Sequence, residues 1–247
     1  MATDTPNLGL NRPDARAPDW NTATNENFDL IDLYALAGRF GRRVTRIIFG
    51  VGTAMHVLGD SATVTGTPSA IQADASEPLL LNCASGAVSG NEAGISGGSI
   101  YRSGQNRRIL FQAYVKFQET TFLRAWIGLG NQVLATQVGA DDPAGRYAGF
   151  QFSTPRADTN WKCVTKDNVT QNLQDSGVAF STTGTLFEIY FDDPNNQILF
   201  YINGVLVKTL TANLPGDVNL AYVIAVETQE AVAKNIRVAW VNIFSVK

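Results

Sequence analysis

From about residue 99 to the C-terminus, apolar side chains recur at every second position. In the run 111–117, Phe111, Ala113, Val115 and Phe117 are apolar, and Gln112, Tyr114 and Lys116 stand between them. Leu123, Ala125, Ile127 and Leu129 repeat the pattern, as do Ala148, Phe150 and Phe152, and then Phe187, Ile189 and Phe191. Successive side chains on a strand point to opposite faces, so this period predicts strands with one buried face. An apolar run at 198–202 meets another at 205–207 across Asn203-Gly204. Asn-Gly accepts the positive φ angles of a two-residue turn and is the strongest short hairpin signal. Apolar runs at 220–226 and 236–246 complete the set. Many strands, turn clusters between them and no helical period predict an antiparallel sandwich or jelly roll.

The first part of the chain has a different pattern. A leader punctuated by Pro6, Pro13 and Pro18 runs into a segment, 20–38, with helical spacing. Asn21 or Thr22 suits its N-cap, acidic residues fill its first turns and Gly38 suits the position after its end. Phe28, Ile31 and Ala35 form one apolar stripe, and Leu30, Leu33, Tyr34 and Ala37 form another. So short a helix cannot bury two stripes alone; it packs on the rest of the chain, on copies of itself or in a partner. Beyond it, short strands are expected at 47–51, 54–58 and 79–83, with His56 packed in an apolar run. The stretch 84–98 is nearly free of large side chains and reads as a long loop.

Composition narrows the function. The 247 residues are 45% hydrophobic and only 17% charged, which disfavours long solvated helices and disordered tails. A formal net charge of -3 argues against a nucleic-acid-binding module. One His and two Cys exclude nearly all zinc sites and make a Ser/His or Cys/His nucleophile pair improbable. No apolar run approaches the roughly 18 residues that span a bilayer, so no membrane insertion is expected. The start, Met1 to Pro6, lacks the basic and then apolar pattern of a secretory signal. The expectation is therefore synthesis in a cytoplasm, with Cys83 and Cys163 as buried reduced thiols.

Candidate chemistry is sparse. Glu188 and Asp192 share a strand face, but four residues of strand rise set them roughly 13 Å apart, too far for a glycosidase pair. Asp141-Asp142, and Asp192-Asp193 with Asn195-Asn196, offer oxygens to calcium, yet such clusters are also ordinary turn chemistry. Arg39, Arg42, Arg43 and Arg46 form a basic cluster that reads as a contact for an anionic partner or, in preference, as the solvated end of the helix or the charged rim of an interface. The faces opposite the core stripes carry Tyr114, Trp126, Tyr147, Tyr190 and Tyr201. Two readings stand side by side for them: a platform for sugar rings or a protein partner, or burial under a covering loop such as 84–98. As a platform, Arg124 beside Trp126 and Glu188 beside Tyr190 pair an aromatic ring with a hydrogen-bonding charge.

Two segments resemble known proteins. The leader Asn7-Leu8-Gly9-Leu10-Asn11-Arg12-Pro13 is followed by Asp19-Trp20-Asn21 and by Asn25-Glu26-Asn27-Phe28-Asp29-Leu30-Ile31-Asp32. This succession resembles the N-terminal stretch of many bacteriophage tail-fibre and virion appendage proteins, which attaches the appendage to the particle. The resemblance implies virion attachment through Leu8, Leu10, Pro13, Trp20, Phe28 and Ile31. The second segment, 69–247, looks like a concanavalin A-like (laminin G-like) sandwich of the kind found on phage virions. Matching pieces include Trp126-Ile127-Gly128-Leu129-Gly130, Tyr147-Ala148-Gly149-Phe150-Gln151-Phe152 and Phe200-Tyr201-Ile202-Asn203-Gly204. The paired-carboxylate pattern of that family's glucanases is missing, so their activity is not implied.

The fold class expected is therefore all-β: an antiparallel, concanavalin A-like jelly-roll sandwich preceded by an extended leader and one short α-helix. The expected divisions are an attachment module at 1–46, a connecting segment at 47–68 and the sandwich at 69–247. The expected function is structural and non-enzymatic: a tail or neck fibre subunit of the virion, made in the host cytoplasm. Its expected partners are its own copies in a homotrimer, other virion proteins and a host-surface glycan. No nucleic acid, metal or cofactor is expected. A capsid decoration or cement protein and a polysaccharide-degrading sandwich enzyme are the alternatives.

Overall fold

A computed structural model describes residues 43–49, 55–57, 62–71, 80–98, 101–104 and 106–246. The attachment residues Leu8, Leu10, Pro13, Trp20, Phe28 and Ile31, and the helix expected over 20–38, lie outside the described residues. Two antiparallel sheets form the sandwich. The first holds, in spatial order, β15 (Val205–Leu210), β14 (Gln197–Ile202), β13 (Thr185–Asp192), β8 (Arg108–Phe117), β17 (Asn235–Val246), β1 (Arg43–Phe49) and β2 (Met55–Val57). In the same sheet β5 (Leu80–Ala84) also pairs with β17, and β4 (Thr67–Ile71) with β5. The second sheet runs β12 (Gln171–Ala179), β11 (Asn160–Asp167), β10 (Arg146–Ser153), β9 (Leu123–Gly130), β16 (Asn219–Thr228), β6 (Glu92–Gly97) and β3 (Ala62–Thr65). A short β7 (Tyr101–Arg102) pairs with β16.

The compact unit begins at Arg43. Strands within the expected attachment module and connecting segment are hydrogen-bonded into the sheets: β1 pairs with β17, β3 with β6 and β4 with β5. The sandwich therefore starts well before residue 69.

The period-two stripes become the core. Phe111, Ala113 and Val115 of β8 meet Leu123, Ala125, Ile127 and Leu129 of β9 between the sheets, together with Phe150, Phe187, Ile189 and Phe200. Each of the buried Phe, Val, Leu and Ile side chains among them contributes about 1.5–3 kcal/mol. At one end Phe152 and Phe180 stack at 4.0 Å between centroids, and Trp161 packs edge-on against Phe187 at 4.8 Å. Cys83 and Cys163 are free thiols in this core, and burial pushes each up to about 12. The Asn203-Gly204 turn forms as expected, with φ of 51° and 75° joining β14 to β15.

The long loop expected over 84–98 is not what forms. Glu92–Gly97 is a strand, paired with β16 on one side and β3 on the other. Its small residues permit this rather than prevent it. Ala93 and Ile95 alternate into the core, while Gly94, at φ +152°, lets the strand lie against β16. A Cβ there would collide with the Ile224 carbonyl oxygen and stand 2.8 Å from the Ala225 Cα.

Candidate functional site

Alternation leaves each sheet with an outer face, and the two differ. On the second sheet the connection 131–145 between β9 and β10 is far longer than the roughly two to five residues of a common hairpin. It folds back over the outer face as a lid. Its one helical turn, α1 (Leu134–Val138), buries Leu134, Gln137 and Val138. Leu134 and Val138 stand four apart on one helix side. Beneath them lie Trp126 and Tyr147, both 0% exposed, with Val164, Val223 and Ala225. The two rings meet edge to face, 5.1 Å between centroids.

Polar contacts hold the far end of the lid. Arg124 Nε donates to Asp141 Oδ1 at 3.0 Å, and its Nη1 lies 3.2 Å from Glu227 Oε1. Lys166 Nζ meets Asp142 Oδ1 at 2.7 Å, and the Tyr147 hydroxyl donates to the same oxygen at 3.1 Å. Gln151 Nε2 donates to the Ala140 carbonyl and Gln171 Nε2 to that of Asp141. Burial raises the Glu227 carboxyl pKa above the usual range, against the lowering effect of its bond from Gln229 and of the Arg124 charge.

This corrects half of the expected site. Arg124 does share the face of Trp126, but Trp126 is covered and Arg124 is spent on two carboxylates, so the pair presents no platform. Burial is the outcome for Trp126 and Tyr147, and the cover is 131–145 rather than 84–98. Asp141 and Asp142 belong to the lid and form ion pairs with Arg124 and Lys166 of the sheet. Asp192 accepts hydrogen bonds from Asn195, Gln197 and Arg108, which hold its carboxyl pKa below the usual range. Among the described residues no cluster of three or more His, Cys, Asp or Glu is arranged for a metal.

The outer face of the first sheet carries no such lid among the described residues. The registers set its side chains in rows. Tyr201, Glu188, Gln112 and Asn242 form one row across β14, β13, β8 and β17. Leu199, Tyr190, Leu110 and Phe244 form the next, and Leu186, Tyr114 and Trp240 flank the first on its other side. Strands lie about 4.8 Å apart, so a four-strand row spans roughly 14 Å. Tyr114, Tyr190, Tyr201 and Trp240 are all half-buried, and Phe244 is buried.

Polar groups cross the middle of this apolar face. Gln112 Nε2 donates to Glu188 Oε1 at 2.7 Å, and Asn242 Oδ1 is buried without a partner among the described residues. Burial, the first cause, pushes the Tyr190 hydroxyl pKa up, so the ring keeps a neutral donor. Glu188 and Tyr190 thus stand where the period-two pattern puts them. Gln112 and Trp240 were not legible as site residues. Trp240 shares the parity of Ile236 and Val238, which are buried; a bulge between Val238 and Trp240 reverses the phase and turns the indole outward.

No family model matches the chain. No curated protein matches it either. Solved structures do. A crystal structure of a protein of unknown function from Shewanella oneidensis MR-1 is similar with a TM-score of 0.60 at 12% identity, over 94% of this chain and 95% of that one. Botulinum neurotoxin type C, whose cell entry depends on interaction with two ganglioside molecules, is similar with a TM-score of 0.54 at 8% identity, over 84% of this chain and 49% of that one. A mixed linkage glucan GH16 protein of Bacteroides ovatus, in complex with a G4G4G3G product, is similar with a TM-score of 0.50 at 13% identity, over 72% of this chain and 85% of that one. Such identities speak for the fold alone, and in fold this chain is an antiparallel jelly-roll β-sandwich like its neighbours.

Proposed function

We propose that the protein is a structural virion subunit, a tail or neck fibre component assembled as a homotrimer, whose sandwich binds a host-surface glycan through the outer face of the first sheet. The observation that carries the glycan reading is the cluster of half-buried aromatics on this face. Tyr190, Tyr201, Tyr114 and Trp240 surround the hydrogen-bonded Gln112–Glu188 pair. A sugar offers an apolar C–H face and a polar rim, which such rings and amides match. One site of this kind is weak, about -4 kcal/mol or millimolar, and display in three copies raises the avidity. The virion reading is supported by the leader and its Asn-x-Asn-Phe-Asp succession. Two fold neighbours engage gangliosides or a glucan product, which agrees with a glycan ligand here. Glu188 Oε1 accepts from Gln112 and Asp192 accepts from three donors, which supports a binding role for this face.

Purified phage particles test both halves. The chain is expected in the particles, and particles carrying Tyr190→Ala with Trp240→Ala adsorb to host cells at least about tenfold more slowly, which is about 1.4 kcal/mol. Absence of the wild-type chain from particles removes the virion reading. Unchanged adsorption by particles that carry the folded double variant removes the glycan reading.

A further inference from the structure

The lid leaves a cleft of about 440 Å³ between its first turn and the β6–β3 edge of the second sheet. Its rim is made of the hydroxyls of Thr63, Thr65 and Ser96 and the amides of Asn131 and Gln132. Its floor is apolar: Leu134, Ala135 and Ala221, with Gly97 beside them. No Asp, Glu, Lys or Arg is among its lining residues that are described. The volume falls in the range of about 300–1,000 Å³ typical of small-ligand sites.

A second observation lies next to the floor. Gln137 is 0% exposed, and neither atom of its amide has a hydrogen-bond partner among the described residues. The amide lies against Gly130, whose register partner on β16 is the floor residue Ala221. It belongs to the same helical turn as Leu134 and Ala135. Buried amides are normally paired, so one left with both a donor and an acceptor free calls for an explanation.

We propose that this cleft is a binding subsite for one neutral sugar residue. The inference rests on the glycan-binding reading and adds to it a site on the opposite sheet. Neutrality follows from the lining, because an ionic ligand would enter without a counter-charge. The ring's C–H face fits the floor of Leu134, Ala135 and Ala221. Its hydroxyls, each donor and acceptor at once, fit the hydroxyl and amide rim. The Gln137 amide lies behind this floor and is not itself among the lining residues. The lid is then both the cover of Trp126 and one wall of the subsite.

The test uses the full chain and saturation-transfer NMR with glucose, galactose, mannose and N-acetylglucosamine as separate probes. At least one is expected to bind in the millimolar range. Ala135→Trp, which fills the cleft from an exposed position, is expected to weaken that binding at least about tenfold. Thr65→Val with Ser96→Ala removes two rim hydroxyls and is expected to act in the same direction; it decides the matter if Ala135→Trp melts early. Tyr190→Ala with Trp240→Ala, on the other sheet, leaves the cleft signal intact. Binding that survives both cleft variants but is lost in the Tyr190/Trp240 variant overturns the subsite and supports the first-sheet face. Binding of none of the four sugars at millimolar concentration overturns the subsite as well. Loss of binding in the cleft variants alone supports it, whatever the adsorption assay says of the first sheet.

Discussion

Replacing Trp126 with Ala separates a structural aromatic from a recognition aromatic. The side chain is fully buried under the lid and touches Tyr147 edge to face at 5.1 Å. Truncating a core Trp costs about 3–5 kcal/mol in lost transfer energy and cavity. Part of that is offset, because Trp126 Nε1 is buried without a hydrogen-bond partner among the described residues. An unpaired buried donor carries a penalty of at least about 1 kcal/mol, which the substitution removes. The net loss is therefore about 2–4 kcal/mol, or roughly 4–16 °C in melting temperature for a domain of this size. Trp126→Phe is the matched control. It removes the unpaired N–H while keeping an aromatic ring over Gly149, and is expected within about 1 kcal/mol of wild type. Calorimetric melts of the full chain, with near-UV circular dichroism to follow the aromatic packing, read both variants. Host-cell binding of folded Trp126→Ala at low temperature is expected to be unchanged. A fall of less than about 2 °C for Trp126→Ala would refute the burial argument. So would lost host binding with an unaltered melt, since that is the behaviour of an exposed platform residue.

Three further predictions concern the core and the strand packed over it. Both thiols are raised from 9.0 to about 12 in the folded state, so the native protein holds protons there that the unfolded chain has released; their stabilisation is complete below about pH 9 and is lost as pH rises from 9 towards 12, which denaturant midpoints across that window will measure. In the same vein, neither Cys83 nor Cys163 reacts with a thiol probe at pH 8 until the chain is denatured, when two equivalents are consumed. Gly94→Ala must place a Cβ against the backbone of Ile224 and Ala225 at a φ that L residues avoid. The combined strain and overlap are expected to cost about 2–6 kcal/mol, and a thermal melt within 2 °C of wild type would contradict the close approach of β6 to β16.

What the sequence determined by itself is the set of inner faces. Phe111 to Phe117, Leu123 to Leu129 and Phe187 to Phe191 reach the core because the alternation is written into adjacent residues, and a strand's pleat reads it without outside help. Asn203-Gly204 is local in the same sense: its turn depends only on two residues that tolerate positive φ. The fate of the outer faces depended on tertiary structure. Whether Trp126 meets water depends on Asp141 and Asp142 finding Arg124 and Lys166 from a lid whose helical turn is too short to leave a period. Trp240 faces outward because of a bulge, a feature of two strands pairing out of step rather than of either strand's pattern. Glu92–Gly97 became a strand because β16 and β3 were there to bond it, and its small side chains, which alone suggest a loop, let the backbones come close. Patterning encodes which side of a strand is apolar; only the assembled fold decides what comes to lie on the other side.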